Sequence, residues 1–278
     1  MTTDLLTEDL LEPIRRLTRD IKDASRLLGQ REARYLVDCY YQIQDFRIVA
    51  AARVRGSDED EPNRVLSWVF DCMEILENDI KRALGTFASE YNVGQWLQSI
   101  CGIGPVISAG FLAHLDIRGC ATAGHFWRFA GLDPTMKWVK KTKRPWNAGL
   151  KTLCWKAGES FVKVQNNDKD VYGKLFVERK LFEQQRNEAG GNELRAAEIL
   201  AGKKFGKDTE AYKAYSVGLL PKAHIHAQAR RWTVKMFLSH YWQRAWVQAH
   251  PGKMPPNAWV IEHGGHVHYV EPEVPFTE

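Results

Sequence analysis

The stretch Leu97-Gln-Ser-Ile-Cys-Gly-Ile-Gly-Pro-Val-Ile-Ser-Ala-Gly-Phe-Leu-Ala-His-Leu115 decides the fold. It reads as the end of one helix, a tight turn on Gly102 and Gly104, a proline suited to the first position of the next helix, and then a helix with small residues on one side. This is the pattern of a helix-hairpin-helix. In that motif the glycines let the backbone turn so tightly that the amides of the turn and of the following helix start point outward together. The positive end of the helix can then hold a phosphate. Ile103, between the glycines, is the expected apolar plug.

Outward from the hairpin the chain reads as helix nearly throughout. Toward the N-terminus, Ile14, Leu17, Ile21, Ala24 and Leu28 repeat at three- and four-residue spacing, with Gly29 as a stop. A second helix is expected over Arg31–Arg55 and a third from Asn63 to about Ala88, separated by the acidic turn Ser57–Pro62. Toward the C-terminus, helices are expected at about Thr122–Ala130, Asn147–Val164, Asp168–Ala189, Asp208–Ser216 and Ala223–Ala249. Gly190–Lys207 reads as a solvated linker or insertion. The fold class is therefore all-α: an N-terminal helical bundle or hairpin, a domain containing the helix-hairpin-helix, and a short irregular or β-hairpin tail around Gly264-Gly265. The expected divisions are 1–95, 96–250 and 251–278.

Charge follows these divisions. Lys+Arg number 13 against 18 Asp+Glu in residues 1–95, 25 against 12 in residues 96–250, and 1 against 4 in residues 251–278, which together give the overall charge of +5. A basic centre between acidic flanks points to an acidic partner for the centre, most often nucleic acid. The densest part is Lys137, Lys140, Lys141, Lys143, Arg144, Lys151 and Lys156, with no Asp or Glu between Lys137 and Gly158 and with Trp138, Trp146 and Trp155 interleaved. Like charges this close repel unless solvated or matched by an anion, and a phosphate backbone is the common match. Arg230, Arg231 and Lys235 on the last long helix, together with Arg128, extend the expected surface. The candidate nucleic-acid-binding residues are thus Gly102, Ile103, Gly104, Arg128, Lys137, Lys140, Lys141, Lys143, Arg144, Trp146, Lys151, Arg230 and Arg231.

Other chemistry is weaker in the sequence. The five cysteines, Cys39, Cys72, Cys101, Cys120 and Cys154, are widely spaced and read as small buried groups of a reducing compartment. His263, His266 and His268, near His250 and Glu271, are the only arrangement that suggests a metal, and no cysteine or established ligand spacing accompanies them. His224 and His226 stand two apart and cannot share one helix face, so they read as packing or phosphate contacts. No apolar run approaches the roughly 18 residues of a membrane-spanning helix, and the first thirty residues carry no secretory signal, so the expected location is cytoplasmic.

Four blocks in order carry a family resemblance. They are the hairpin itself, Phe126-Trp-Arg-Phe-Ala-Gly-Leu-Asp-Pro-Thr135, Asn147-Ala-Gly-Leu-Lys-Thr-Leu153 and Lys222-Ala-His-Ile-His-Ala-Gln-Ala-Arg-Arg231. Together they resemble the C-terminal domain of the DEDD insertion-sequence transposases of the IS-one-ten group. Family members cut DNA with an N-terminal RuvC-like domain, whose carboxylates bind metal, and a serine nucleophile shortly after the Gly-Leu-x-Pro segment. The first 95 residues here read as helices without carboxylate-bearing strands. From Ala109 to Glu159 there is no serine, the hydroxyls being Thr122, Thr135, Thr142 and Thr152, and Ser160 comes too late, on a helix. A threonine is a poorer attacking group where an unhindered primary hydroxyl is needed.

Three readings follow. The first is a non-catalytic DNA-binding protein derived from a transposase, phage or mobile-element in origin, needing no cofactor and accepting branched or RNA-containing forms. The second is an active transposase or recombinase using Mg2+, with Asp116 and Asp133 as candidate metal carboxylates. The third is a helical adaptor that binds RNA or an acidic protein. In each, the N-terminal helices are the expected means of homo-oligomerisation.

Overall fold

The structure is a computed structural model and describes residues 23–56 and 64–256. Among these residues there are ten α-helices and no strand. They are α1 (Gln30–Arg55), α2 (Arg64–Ser89), α3 (Asn92–Ser99), α4 (Pro105–His114), α5 (Ala123–Phe129), α6 (Ala148–Val164), α7 (Tyr172–Glu188), α8 (Glu193–Gly202), α9 (Glu210–Ser216) and α10 (Lys222–Ala249). None is long and apolar enough to cross a membrane. The first amphipathic repeat before Asp23, the acidic turn 57–63, and the tail with Gly264-Gly265, His263, His266, His268 and Glu271 lie outside the described residues.

The chain divides into two compact units. One comprises the described part of Met1–Ser99 with Ile103–Arg118, and the other Ile100–Gly102 with the described part of Gly119–Glu278. In the first unit α1 and α2 run antiparallel. Ala33, Val37 and Tyr40 share a core with Leu84, Phe87 and Ala88, while further along α1 Gln44 and Arg47 reach back to Glu77 on α2. Helix α4 closes this core with Val106, Ala109 and Ala113. Its small residues are the reason it can lie close to two helices at once. Glu77 is buried, yet its carboxylate accepts from Arg47 and Gln44, which is how a buried charge is tolerated. Beyond Tyr40 in α1 and before Glu77 in α2 no residue is buried.

The second unit is built around α10, which packs on α5, α6 and α7. Its core is aromatic. Phe161, Tyr172 and Phe237 meet with ring centroids 4.8–5.4 Å apart, and Tyr172 shares a 2.9 Å hydrogen bond with Nδ1 of buried His240. Two indoles on this framework are pinned by their N–H groups, Trp127 to the Lys235 carbonyl (2.9 Å) and Trp242 to the Cys120 carbonyl (2.7 Å).

Gly190–Lys207 is not a linker. It contains α8, whose Ala196 is fully buried in a second small core with Tyr215, Leu220 and Ile225. Buried Asn187 joins this core to α7. Its side-chain amide donates to the Leu220 carbonyl, and its oxygen accepts from the Leu220 amide and from Asn192. Of the glycines that suggested a linker, Gly190 and Gly191 follow the end of α7 and Gly202 ends α8. Gly190, at φ 80°, closes α7, with its own amide bonded to the Asn187 carbonyl and that of Gly191 to the Arg186 carbonyl. This is the paired pattern of a left-handed C-terminal cap.

Candidate nucleic-acid interface

The turn at residues 100–104 joins α3 to α4, and its two glycines differ. Gly102 takes the left-handed φ of 89°, which disfavours any side chain, and a β-carbon there would crowd Val164 and Ser160 on α6. Gly104 is extended and meets nothing within 4 Å, so only its place at the start of α4, ahead of Pro105, favours it. No side chain caps that helix start. Ile103 is buried, as expected of a plug. Ser160 donates to the Gly102 carbonyl at 2.5 Å and so fastens the turn to α6.

The Gly-Leu-Asp-Pro segment is a second constructed turn. Gly131, at φ 66°, ends α5, with its amide bonded to the Arg128 carbonyl and the Leu132 amide bonded to the Trp127 carbonyl. The Trp146 ring lies on Gly131 so closely that a β-carbon would come within 2.7 Å of it. One residue on, Asn147 bonds the Phe129 carbonyl through its amide and caps α6 by accepting from the Leu150 amide at 2.9 Å. These contacts fix where Lys151, in the first turn of α6, stands. Its ammonium lies 4.1 Å from the centroid of Trp146.

Around Lys151 the cations gather. Burial lowers the Lys151 pKa, and the nearby charges of Arg231 and Arg144 lower it further. Burial likewise lowers that of Arg230, with Arg231 adding to the effect. Arg144 stacks on Trp138 at 5.5 Å, and Arg230 lies over Trp155 at 5.3 Å while pairing with Glu159. Lys235 lies over Trp127 at 4.4 Å. Its pKa is lowered by burial and by Arg179, against the opposing pull of Asp133. The structure thus brings Arg144, Trp146, Lys151, Arg230 and Arg231 into one cluster and adds Trp138 and Trp155, whereas Lys235 lies over Trp127 with Asp133 and Arg179 as its charged neighbours. Arg195, from the segment read as linker, contributes its charge toward Arg231.

Lys137, Lys140, Lys141 and Lys143 are exposed on the loop before α6. That loop is closed by its own contacts: the Trp138 indole donates to the Thr142 carbonyl at 2.8 Å, and Lys141 adopts a left-handed φ of 72°. The cluster and the Gly102 turn do not share one spot. Gly102 meets α6 at Ser160–Val164 and Lys151 stands in its first turn, about 16 Å away at 1.5 Å per residue.

The candidate catalytic groups are all held locally. Asp116 accepts from the backbone and guanidinium of Arg118, and those bonds hold its carboxyl below the usual range. Burial works to raise the pKa of Asp133, but the bonds from the Thr135 hydroxyl and amide, with the charges of Arg128 and Lys235, outweigh it and the net shift is downward. Asp116 belongs to the first unit and Asp133 to the second. The hydroxyls of Thr142 and Thr152 donate to the carbonyls of Val139 and Ala148, and Thr122 joins His125 at the start of α5. Among the described residues no three His, Cys, Asp or Glu side chains are grouped as metal ligands. His224 bonds Tyr215 and His226 packs on Phe176. The thiol of buried Cys154 is pushed up by burial, and none of the five cysteines is in a disulfide.

Comparison with known proteins matches residues 94–165 to the Transposase IS116/IS110/IS902 family. The matched segment, about a quarter of the chain, runs from α3 through the turn at residues 100–104 and the Gly-Leu-Asp-Pro turn to the end of α6, and it is transposase-like. No curated protein and no solved structure matches the chain.

Proposed function

We propose that the chain is a DNA-binding protein derived from a transposase, and that its second unit grips the phosphate backbone without cutting it. One observation carries this reading. Lys151, Arg144 and Arg231 gather at one place among capped helices and stacked indoles, with Arg230 beside them paired to Glu159. Holding like charges together is unfavourable in the free protein and is relieved when an anion arrives, so the arrangement is suited to a polyanion. The turn at residues 100–104 has the glycine-proline pattern of a helix-hairpin-helix. Its uncapped helix start offers backbone amides for a further phosphate. The absence of cutting is inferred from the local bonds that occupy Asp116, Asp133 and the threonine hydroxyls.

Binding of a labelled duplex at several salt concentrations tests the main reading. Three to four phosphate contacts give a slope of about −3 in log affinity against log salt. An absence of binding at low salt contradicts it. Incubation with supercoiled DNA in Mg2+ or Mn2+ tests the other half, and nicking that is lost on changing Asp133→Asn would overturn it.

We also propose that the α1–α2 hairpin pairs with a second copy. Its outer half buries no residue and exposes Phe46, Ile48, Val49, Val65, Leu66 and Trp68, more apolar surface than two helices retain without a partner. Light scattering should give twice the chain mass, and a mass of one chain at micromolar concentration would contradict the pairing.

A further inference from the structure

We infer that the cluster on α6 and α10 takes unpaired DNA in preference to duplex, with bases lying on its indole rings between the cations. The inference rests on the DNA-binding reading above and goes further, naming the form of DNA.

Three ring–cation pairs lie on α6, α10 and the loop before α6, close enough for their charges to act on one another. Trp138 carries Arg144, and the charge of Arg144 acts on Lys151, which lies on Trp146. The charge of Arg231 acts on Lys151 and also on Arg230, which lies on Trp155. Each of Trp138, Trp146 and Trp155 thus carries one cation, and Arg230 is also paired with Glu159. The two end rings are open to solvent, Trp138 at 42% and Trp155 at 53% of their surface. Elsewhere in the same unit Trp242 is buried, which is the ordinary use of a tryptophan.

A duplex gives such rings nothing to do. Its bases are stacked on one another inside, and a protein that grips it through phosphates needs cations alone. A single strand presents phosphate and base in alternation. Every base has a flat face that stacks on an indole whatever its identity, and each such stack changes affinity by roughly 5- to 150-fold. A cation beside Trp138 or Trp155 adds attraction for the adjoining phosphate. Both open rings therefore have a role on an unpaired strand that a duplex does not give them.

The full chain, with labelled 20-nucleotide single-stranded DNA and the corresponding duplex at the same salt, provides the test. The single strand should bind at least fivefold more tightly. Trp155→Ala and Trp138→Ala should each weaken it by fivefold or more while changing duplex affinity less than twofold, and Trp155→Phe, which keeps a stacking face, should recover most of the loss. Lys151→Glu should weaken both forms. The three ring variants replace exposed side chains, and unchanged thermal melting identifies a folded protein. Duplex binding equal to or tighter than single-strand binding, or equal losses on both forms in the ring variants, overturns the inference while leaving the DNA-binding reading in place. Failure to bind either form overturns both.

Discussion

Gly131 shows how much one residue carries. Its left-handed backbone closes α5, and the missing side chain is the space in which Trp146 lies. Gly131→Ala combines an unfavourable φ with a 2.7 Å contact to the ring and should cost about 2–4 kcal/mol in chemical denaturation; a loss below 0.5 kcal/mol would mean that the ring moves aside freely. His114 gives a pH prediction. Burial, and then the charge of Arg34, lowers its pKa to about 4, and its Nδ1 is buried without a hydrogen bond. The unfolded chain, with an ordinary histidine, binds the proton at higher pH, so stability is retained at neutral pH and falls as pH drops from about 6.5 toward 4. The fall amounts to roughly 1–2 kcal/mol, less than the full shift would give because water reaches part of the ring. In His114→Leu that part of the pH dependence should vanish, and a variant that kept the full dependence would assign it to other groups. At this scale the sequence was informative about charge and less so about contact. It named Arg144, Lys151 and Arg231, but that they converge on Lys151 depends on the fold. Ser160 was set aside as a nucleophile, and nothing in its neighbours signals that its hydroxyl holds the Gly102 carbonyl 58 positions away.

At the scale of elements, the helices were legible because each buries a periodic apolar face. The periodicity placed α1, α2, α6 and α10 within one or two residues of where they lie. It failed at α8. This short helix buries Ala196 fully and leaves Leu194 exposed, so its pattern is weak, and the glycines and lysines around it imitate a linker. What makes it part of the fold is the polar clamp at Asn187, which no periodicity reports. Asn187→Leu removes the bonds to Leu220 and Asn192 and leaves the buried Leu220 amide and carbonyl without that partner. It should cost about 2–4 kcal/mol and expose the segment around α8 to proteolysis before the rest of the second unit. Cleavage there at the wild-type rate would contradict the clamp.

For the whole molecule, the uneven charge along the sequence found its counterpart in the fold. The basic centre supplies the cluster on α6 and α10, and the acidic N-terminal part supplies a helical hairpin with an open apolar face. The transposase-like segment from residue 94 to residue 165 contains the turn at residues 100–104, the Gly-Leu-Asp-Pro turn and Lys151, whereas Arg230 and Arg231 come from beyond it. The binding surface proposed here is therefore completed by α10. The double change Lys151→Glu with Arg231→Glu tests the central claim most directly, measured as duplex and single-strand DNA affinity over a salt series beside the unaltered chain. The account predicts a loss of at least thirtyfold at low salt on both forms, and a salt slope shallower by about 2, as expected when two phosphate contacts are removed. Unchanged affinity and an unchanged slope in a folded double variant would contradict it.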